Sequence, residues 1–254
     1  MVATAVTLIG IYGLLCLLLF LQQSSLIYMP QYTRARVSET DFELPRADGV
    51  ILRGWLVAPD QPDVLLYFGG NAEQIGHLRA DALALFPGHA VFLVAYRGYG
   101  ASDGRPDEAS LGADAIALYD HVRTRRPQAR IAVVGRSLGS GVAAFLAGQR
   151  DVDRLVLVTP FDSMTEVAAH HYPWLPVRWL LRERYESARH LAGHSGPVLV
   201  VRAGRDSIVP AARTDALAAA LPVPPRILDL PDADHNVDLR NPAILASLRA
   251  FLTR

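Results

Sequence analysis

From residue 51 onward, short apolar runs alternate with longer amphipathic ones, and this rhythm constrains the layer architecture more than any single residue does. The apolar runs are Ile51–Ala58, Val64–Phe68, Ala90–Tyr96, Ile131–Val134, Leu155–Val158, Val198–Val201 and Ile227–Leu230. Several are unbroken Val/Ile/Leu stretches, as expected of strands buried on both faces. Between them lie helix-like segments at Ile75–Leu85, Glu108–Arg125, Leu138–Gln149, Ala211–Leu221 and Pro242–Leu252. The last is the best marked, with Asn241 as N-cap and Pro242 in the first helical position. Strand alternating with helix predicts an α/β fold, a mostly parallel sheet with helices on both faces. Residues 38–57 carry no intervening helix and predict an antiparallel edge. The stretch 161–195 breaks the rhythm: it has no clear strand and holds Trp174 and Trp179. It reads as a small helical excursion, either a lid over the C-terminal edge of the sheet or a helix pair on its flank. A chain of 254 residues suits one large α/β domain, or at most two small ones, and is long enough to bury a core without disulfides or metals.

The start of the chain is different. Val2–Leu21 is an apolar run of about 20 residues, long enough to cross a bilayer as a helix. It lacks the basic leader, the shorter apolar stretch and the small-x-small site of a cleaved signal peptide, so it reads as an uncleaved anchor. Arg34 and Arg36 are the first basic residues after it and favour a cytoplasmic C-terminal domain, with the extracytoplasmic side the alternative. Cys16 is the single cysteine, which excludes an intramolecular disulfide and a multi-cysteine zinc site. Bulky Leu15 before it argues against lipoprotein processing and for a lipid-facing or packed thiol. Twenty-five basic residues balance 25 acidic ones, without the basic surplus of a nucleic-acid binder. The chain contains no lysine, so neither a lysine Schiff base nor a Walker phosphate loop is available.

The chemistry centres on Gly135-Arg136-Ser137-Leu138-Gly139, a G-x-S-x-G placed between an apolar run and a helix of small residues. A serine on a sharp strand-to-helix turn is exposed, and the flanking glycines let the helix approach closely. Its hydroxyl needs a base to take the proton, and a carboxylate to hold that base in the right tautomer. Asp206 follows the run Val198–Val201, and His235 follows Ile227–Leu230, so strand ends deliver Ser137, Asp206 and His235 to one edge. Asp162 also follows a strand and is the alternative acid. Asp232 and Asp234 read as turn formers. His77, His89, His121, His190 and His194 read as solvated or packed side chains. So do His170 and His171, unless the excursion is a lid that brings them to substrate. An oxyanion requires two backbone donors: Leu138 N–H after the serine, and Asn71 N–H from the turn Gly69-Gly70-Asn71-Ala72. Arg136 and Arg97 are candidates for an anionic substrate group or for structural ion pairs. Gly139-Ser140-Gly141-Val142-Ala143-Ala144 fits the looser dinucleotide fingerprint, but it starts inside a helix and lacks the acidic residue about 20 positions on.

The segments FGGNA (68–72), AYRGYGASDG (95–104), GRSLGSG (135–141), GRDSIVP (204–210) and DHN (234–236) together resemble the α/β-hydrolase superfamily. They are most similar to its small membrane-anchored serine hydrolases, which include acyl-ester, lipid and protein-depalmitoylating members. The resemblance runs from about residue 38 to the end. It implies residues 1–33 as anchor and linker, with the helix at about 2–21, and residues 34–254 as an α/β-hydrolase domain. It implies Ser137 as nucleophile, His235 as base, Asp206 as its orienter, and Asn71 with Leu138 as oxyanion donors. The implied activity is hydrolysis of carboxylic esters or thioesters through an acyl-enzyme, on a small-molecule or lipid substrate and without cofactor or metal. A serine peptidase on the same triad and a non-catalytic hydrolase-like binding module are the alternatives. Two positions depart from the relatives' pattern: Gly69 stands where they carry His, and Ala95 where they tend to carry Asp.

Overall fold

A computed structural model describes residues 2–253; Met1 and Arg254, the outer ends of the two expected segments, lie outside the described residues. Eight strands form one sheet: β1 (Phe42–Pro45), β2 (Ile51–Val57), β3 (Asp63–Phe68), β4 (His89–Val94), β5 (Ile131–Arg136), β6 (Arg154–Val158), β7 (Val198–Ala203) and β8 (Arg226–Leu230). Their order is β1-β2-β4-β3-β5-β6-β7-β8. The β1/β2 and β2/β4 pairs are antiparallel and the rest parallel. This is the α/β-hydrolase arrangement with the antiparallel edge expected at residues 38–57. Leu65, Leu66, Val133, Leu155, Val156 and Val200 are fully buried, because helices cover both faces of the central strands.

The helices are α1 (Val2–Ile27), α2 (Ala82–Leu85), α3 (Glu108–Arg125), α4 (Leu138–Gln149), α5 (Met164–His171), α6 (Val177–Leu180), α7 (Ser187–His190), α8 (Ala211–Ala220) and α9 (Pro242–Leu252). Asp107 caps α3 by accepting from Ser110 N–H at 2.8 Å, and Asn241 caps α9 by accepting from Ala243 N–H at 2.9 Å. The expected helix at Ile75–Leu85 is instead a 3₁₀ turn over Ile75–Ala80 followed by the single turn α2. Gly76 lies on the Trp55 ring, where an added Cβ would come within 2.7 Å of the indole. That close approach, with three-residue bonds such as Asp81 N–H to Leu78 O, holds the segment in the tighter geometry.

The first helix continues to Ile27, six residues past the expected end of the apolar run. Its 26 residues span about 39 Å, more than the roughly 30 Å of a hydrocarbon core. By length and composition it is able to cross a membrane. Cys16, Leu19, Phe20, Gln23 and Ile27 line one face and are at least half-buried, while Leu14, Leu17, Leu18 and Leu21 are exposed. The half-buried face rests on the 161–195 excursion, which carries α5, α6 and α7 and no strand. Arg182 N–H donates to Gln23 Oε1 at 2.7 Å, and Gln23 Nε2 donates to Leu180 O at 3.2 Å. Tyr28 O–H donates to Glu183 at 2.7 Å. These polar contacts explain why the helix outlasts its apolar run: Gln23 finds partners on the domain.

Candidate active site

Strand β5 ends at Arg136 and α4 starts at Leu138, which leaves Ser137 alone on the turn at φ 50° and ψ −117°. The turn is tight enough to dictate its neighbours. A Cβ at Gly135 would lie 2.3 Å from Gly139 O, and one at Gly139 would lie 2.1 Å from Phe68 O. Only glycine fits at either position, so the G-x-S-x-G spacing is the steric condition for α4 to start directly behind β3 and β5. Ser137 N–H donates to Val158 O at 2.9 Å, which ties the turn to β6.

Two loops at the same edge complete the constellation. Asp206 lies beyond β7 and His235 beyond β8. Gly204 N–H donates to Leu230 O and Arg205 N–H to Ala233 O, both at 2.9 Å, which joins the loops. His235 Nδ1 lies 2.7 Å from Asp206 Oδ2, and its Nε2 lies 2.7 Å from Ser137 Oγ. In the tautomer that satisfies both contacts, Nδ1–H donates to the carboxylate and the serine hydroxyl donates to Nε2. Asp206 Oδ1 accepts from Ile208 N–H at 2.9 Å and from Val209 N–H at 2.7 Å. Its side chain is only 2% exposed, so the carboxylate is positioned by three donors away from bulk water. The structure thus brings Ser137, His235 and Asp206 into one relay.

The turn after β3 lies against this elbow: a Cβ at Gly70 would touch Ser137 Cβ at 3.6 Å and Arg136 O at 3.6 Å. Leu138 N–H opens α4 and has no intrahelical acceptor. The Asn71 side chain does not point to the serine. Its Nδ2 donates to Ile27 O at 2.5 Å, and its Oδ1 accepts from Met29 N–H at 3.1 Å and Tyr99 O–H at 2.7 Å. It therefore staples the turn to the end of α1 and leaves only its backbone N–H for the site.

Glu73 is the residue sequence reasoning missed. Its Oε2 accepts from Gly70 N–H at 2.5 Å, while its Oε1 accepts from Tyr67 O–H at 2.8 Å and Arg136 Nη1 at 3.1 Å. A Glu three residues after Gly70 has the reciprocal spacing of a capping box, which is the signal that finds it. Tyr96 O–H holds Gly69 O at 2.8 Å. Burial pushes the Tyr67 and Tyr96 phenols well above their ordinary value, so both remain neutral donors. Burial opposes the charge on Arg136, yet adjacent Glu73 more than offsets this and holds its pKa above the ordinary arginine value. This network braces the Gly69-Gly70-Asn71 turn.

Other candidates fall outside the relay. Asp162 meets Arg213 at 3.2 Å rather than His235, and burial raises its pKa. Arg136 pairs with Glu73, and Arg97 grips Asp114 through two bonds of 2.8 Å, so both arginines are structural. Gly139, Ser140 and Gly141 are buried inside α4 and form no phosphate-holding loop. His171 Nε2 lies 2.8 Å from Ile208 O, which connects α5 to the loop carrying Asp206. Among the described residues no cluster of His, Cys, Asp and Glu has the arrangement to hold a metal.

Residues 61–190 match the hydrolase family described as serine aminopeptidase, S33. The uncharacterized protein Rv2307c of Mycobacterium tuberculosis is 39% identical over 246 residues, covering 91% of this chain and 88% of that protein. Lysophosphatidylserine lipase ABHD12 of Danio rerio is 31% identical over 168 residues, covering 58% of this chain and 44% of the lipase. Among solved structures, the Pyrococcus furiosus esterase Pf2001 superimposes with a TM-score of 0.66 at 17% identity, covering 84% of this chain and 90% of the esterase.

Proposed function

The chain belongs to the α/β-hydrolase superfamily, within the family described as serine aminopeptidase, S33, and on that premise we propose that it is a membrane-tethered serine hydrolase of carboxylic esters or thioesters. The observation that carries this reading is the continuous relay Ser137–His235–Asp206, with both links at 2.7 Å. In the proposed reaction the Ser137 proton passes to His235 Nε2 as Oγ attacks the substrate carbonyl. The negative charge on the carbonyl oxygen is held by Leu138 N–H and Asn71 N–H. Collapse breaks the bond to the leaving oxygen or sulfur, which takes the proton from Nε2 and departs as an alcohol or thiol. A water then gives one proton to Nε2 and attacks the acyl-enzyme. That proton returns to Ser137 Oγ as the carboxylic acid leaves. Asp206 keeps its negative charge throughout and stabilises the transient imidazolium.

The tether is α1, with residues 34–254 as the catalytic domain and 161–195 as its lid. Arg34 and Arg36 favour the cytoplasmic side for that domain, with the extracytoplasmic side as the alternative. The family description names aminopeptidases, and the same relay cleaves amides. The cavity beside the Asp206 loop is lined mostly by apolar side chains, which favours an acyl ligand over the amino terminus of a peptide. A lipase and an esterase among the similar proteins support the ester reading. The test is a panel of p-nitrophenyl esters, acyl thioesters and aminoacyl anilides, assayed with the full chain in vesicles. Ester and thioester turnover that disappears in Ser137→Ala is expected. Turnover of the anilides alone assigns a peptidase. Folded wild type that cleaves none of the three contradicts the enzymatic reading in favour of a binding module.

A further inference from the structure

A cavity of about 720 Å³ lies between α1 and the excursion, within the size range of small-molecule binding sites. One wall comes from the end of α1, through Leu15, Leu19, Leu26 and Ile27. The opposite wall comes from α5, α6 and their connection, through Val167, Leu175 and Leu180. Its one polar wall residue on α1, Gln23, is already bonded to Leu180 O and Arg182 N–H, and His171 on the facing wall lies against Ile208 O, so most of the free lining is apolar.

Two of its borders belong to the candidate active site. Ile27 contributes its carbonyl to Asn71 of the oxyanion turn. Ser207 and Ile208 directly follow Asp206, and the Ile208 N–H is one of the donors that hold the Asp206 carboxylate. The cavity therefore runs along the apolar face of α1 and borders both the Asp206 loop and the α1 segment that holds Asn71. Around its outer margin Trp174 is 56% exposed, Trp179 88% and Tyr172 51%. Tyr12 O–H donates to Trp174 O at 2.8 Å, so this aromatic margin runs beside the middle of α1, well before its polar end at Gln22–Ser25.

We infer that this cavity binds the acyl chain of a bilayer lipid, which enters sideways from the membrane along α1 and presents its ester carbonyl to Ser137. The anchor is thereby a wall of the substrate site as well as a tether. The inference rests on the serine-hydrolase reading and on α1 lying in the bilayer, and it adds the substrate class and the route. A ligand with no charge and a flexible alkyl body is the one that satisfies walls drawn from a membrane helix.

A hexadecyl fluorophosphonate carrying a diazirine near the chain end tests both layers separately, using the full-length protein in phosphatidylcholine vesicles. Mass spectrometry first reads whether Ser137 carries the phosphonate, and illumination then maps where the alkyl chain inserts. The expected result is Ser137 labelling with photo-crosslinks in peptides covering 15–27 and 164–181. The hexadecyl probe should also label at least roughly tenfold faster than its ethyl analogue, as apolar burial demands. Ser137 labelled with crosslinks elsewhere, or with equal rates for the two probes, overturns the acyl cavity and leaves the hydrolase reading standing. Folded protein that is not labelled at Ser137 overturns the hydrolase reading and this inference with it.

Discussion

Ser137 occupies a backbone region that costs a non-glycine residue about 1–3 kcal/mol, and the surrounding contacts hold it there. Its partners divide into those that take part in proton transfer and those that aim them. Asp206→Asn keeps the size of the side chain but favours the wrong histidine tautomer. It should lower kcat by about 10⁴-fold while the fold and KM persist. Steady-state kinetics beside a thermal melt will check this, and a loss below about tenfold would remove Asp206 from the relay. Asn71→Ala retains the backbone N–H but loses all three side-chain contacts to Ile27, Met29 and Tyr99. A fall in kcat of about tenfold with little change in KM is expected, smaller than for deleting an oxyanion donor outright. Unchanged kcat would show that the turn holds its geometry without the staple. At this scale the three relay residues were readable from the chain because each lies in the short turn that follows an apolar run. Glu73 was marked only by its spacing from Gly70, because its other partners, Tyr67 on β3 and Arg136 on β5, leave no local pattern around it. The Asn71 staple was hidden because Ile27 and Met29 contribute backbone atoms, which leave no mark in residue identity.

Elements show the same division. Helices α3, α4 and α9 end where periodicity and caps place them, since local signals and tertiary packing agree there. The 75–85 segment departs because Trp55, distant in sequence, presses on Gly76. The extra turns of α1 depend on Gln23 contacts that no hydropathy window sees. The junction of β3, β5 and α4 yields the sharpest prediction. Gly139→Ala puts a methyl group against Phe68 O and Gly69 O, so it should destabilise the domain by about 1–3 kcal/mol or more. Gly193→Ala, which meets nothing within 4 Å, is the control and should stay within about 0.5 kcal/mol of wild type. Urea titrations of the two variants measure the difference. Similar midpoints would mean that α4 does not sit as close to β3 as described.

The whole molecule couples a charged domain surface to an uncharged helix long and apolar enough to cross a membrane. The hydrogen bond from Arg53 holds the Asp103 carboxyl below its ordinary range, and Arg150 does the same for Asp120. Both are exposed pairs and individually weak. A depressed folded-state pKa adds stability above the unfolded value of about 3.9, and that stability is lost as pH falls through the lower folded value. Thermal melts should therefore drop more steeply below about pH 4 in wild type than in the Asp103→Asn, Asp120→Asn double variant. Parallel curves would show that these pairs play no part. The cytoplasmic placement proposed from Arg34 and Arg36 is tested in oriented vesicles, where the domain should be cleaved only by protease on the cytoplasmic face. Cleavage confined to the opposite face reverses the orientation.

Everything proposed about activity depends on the serine being chemically singular. Intact-protein mass spectrometry after treatment with a simple fluorophosphonate tests this most directly. The prediction is one adduct, mapped to Ser137, absent from Ser137→Ala and slowed at least about a thousandfold in His235→Ala. Folded wild type without an adduct, or an adduct of equal yield on Ser137→Ala, would contradict the account.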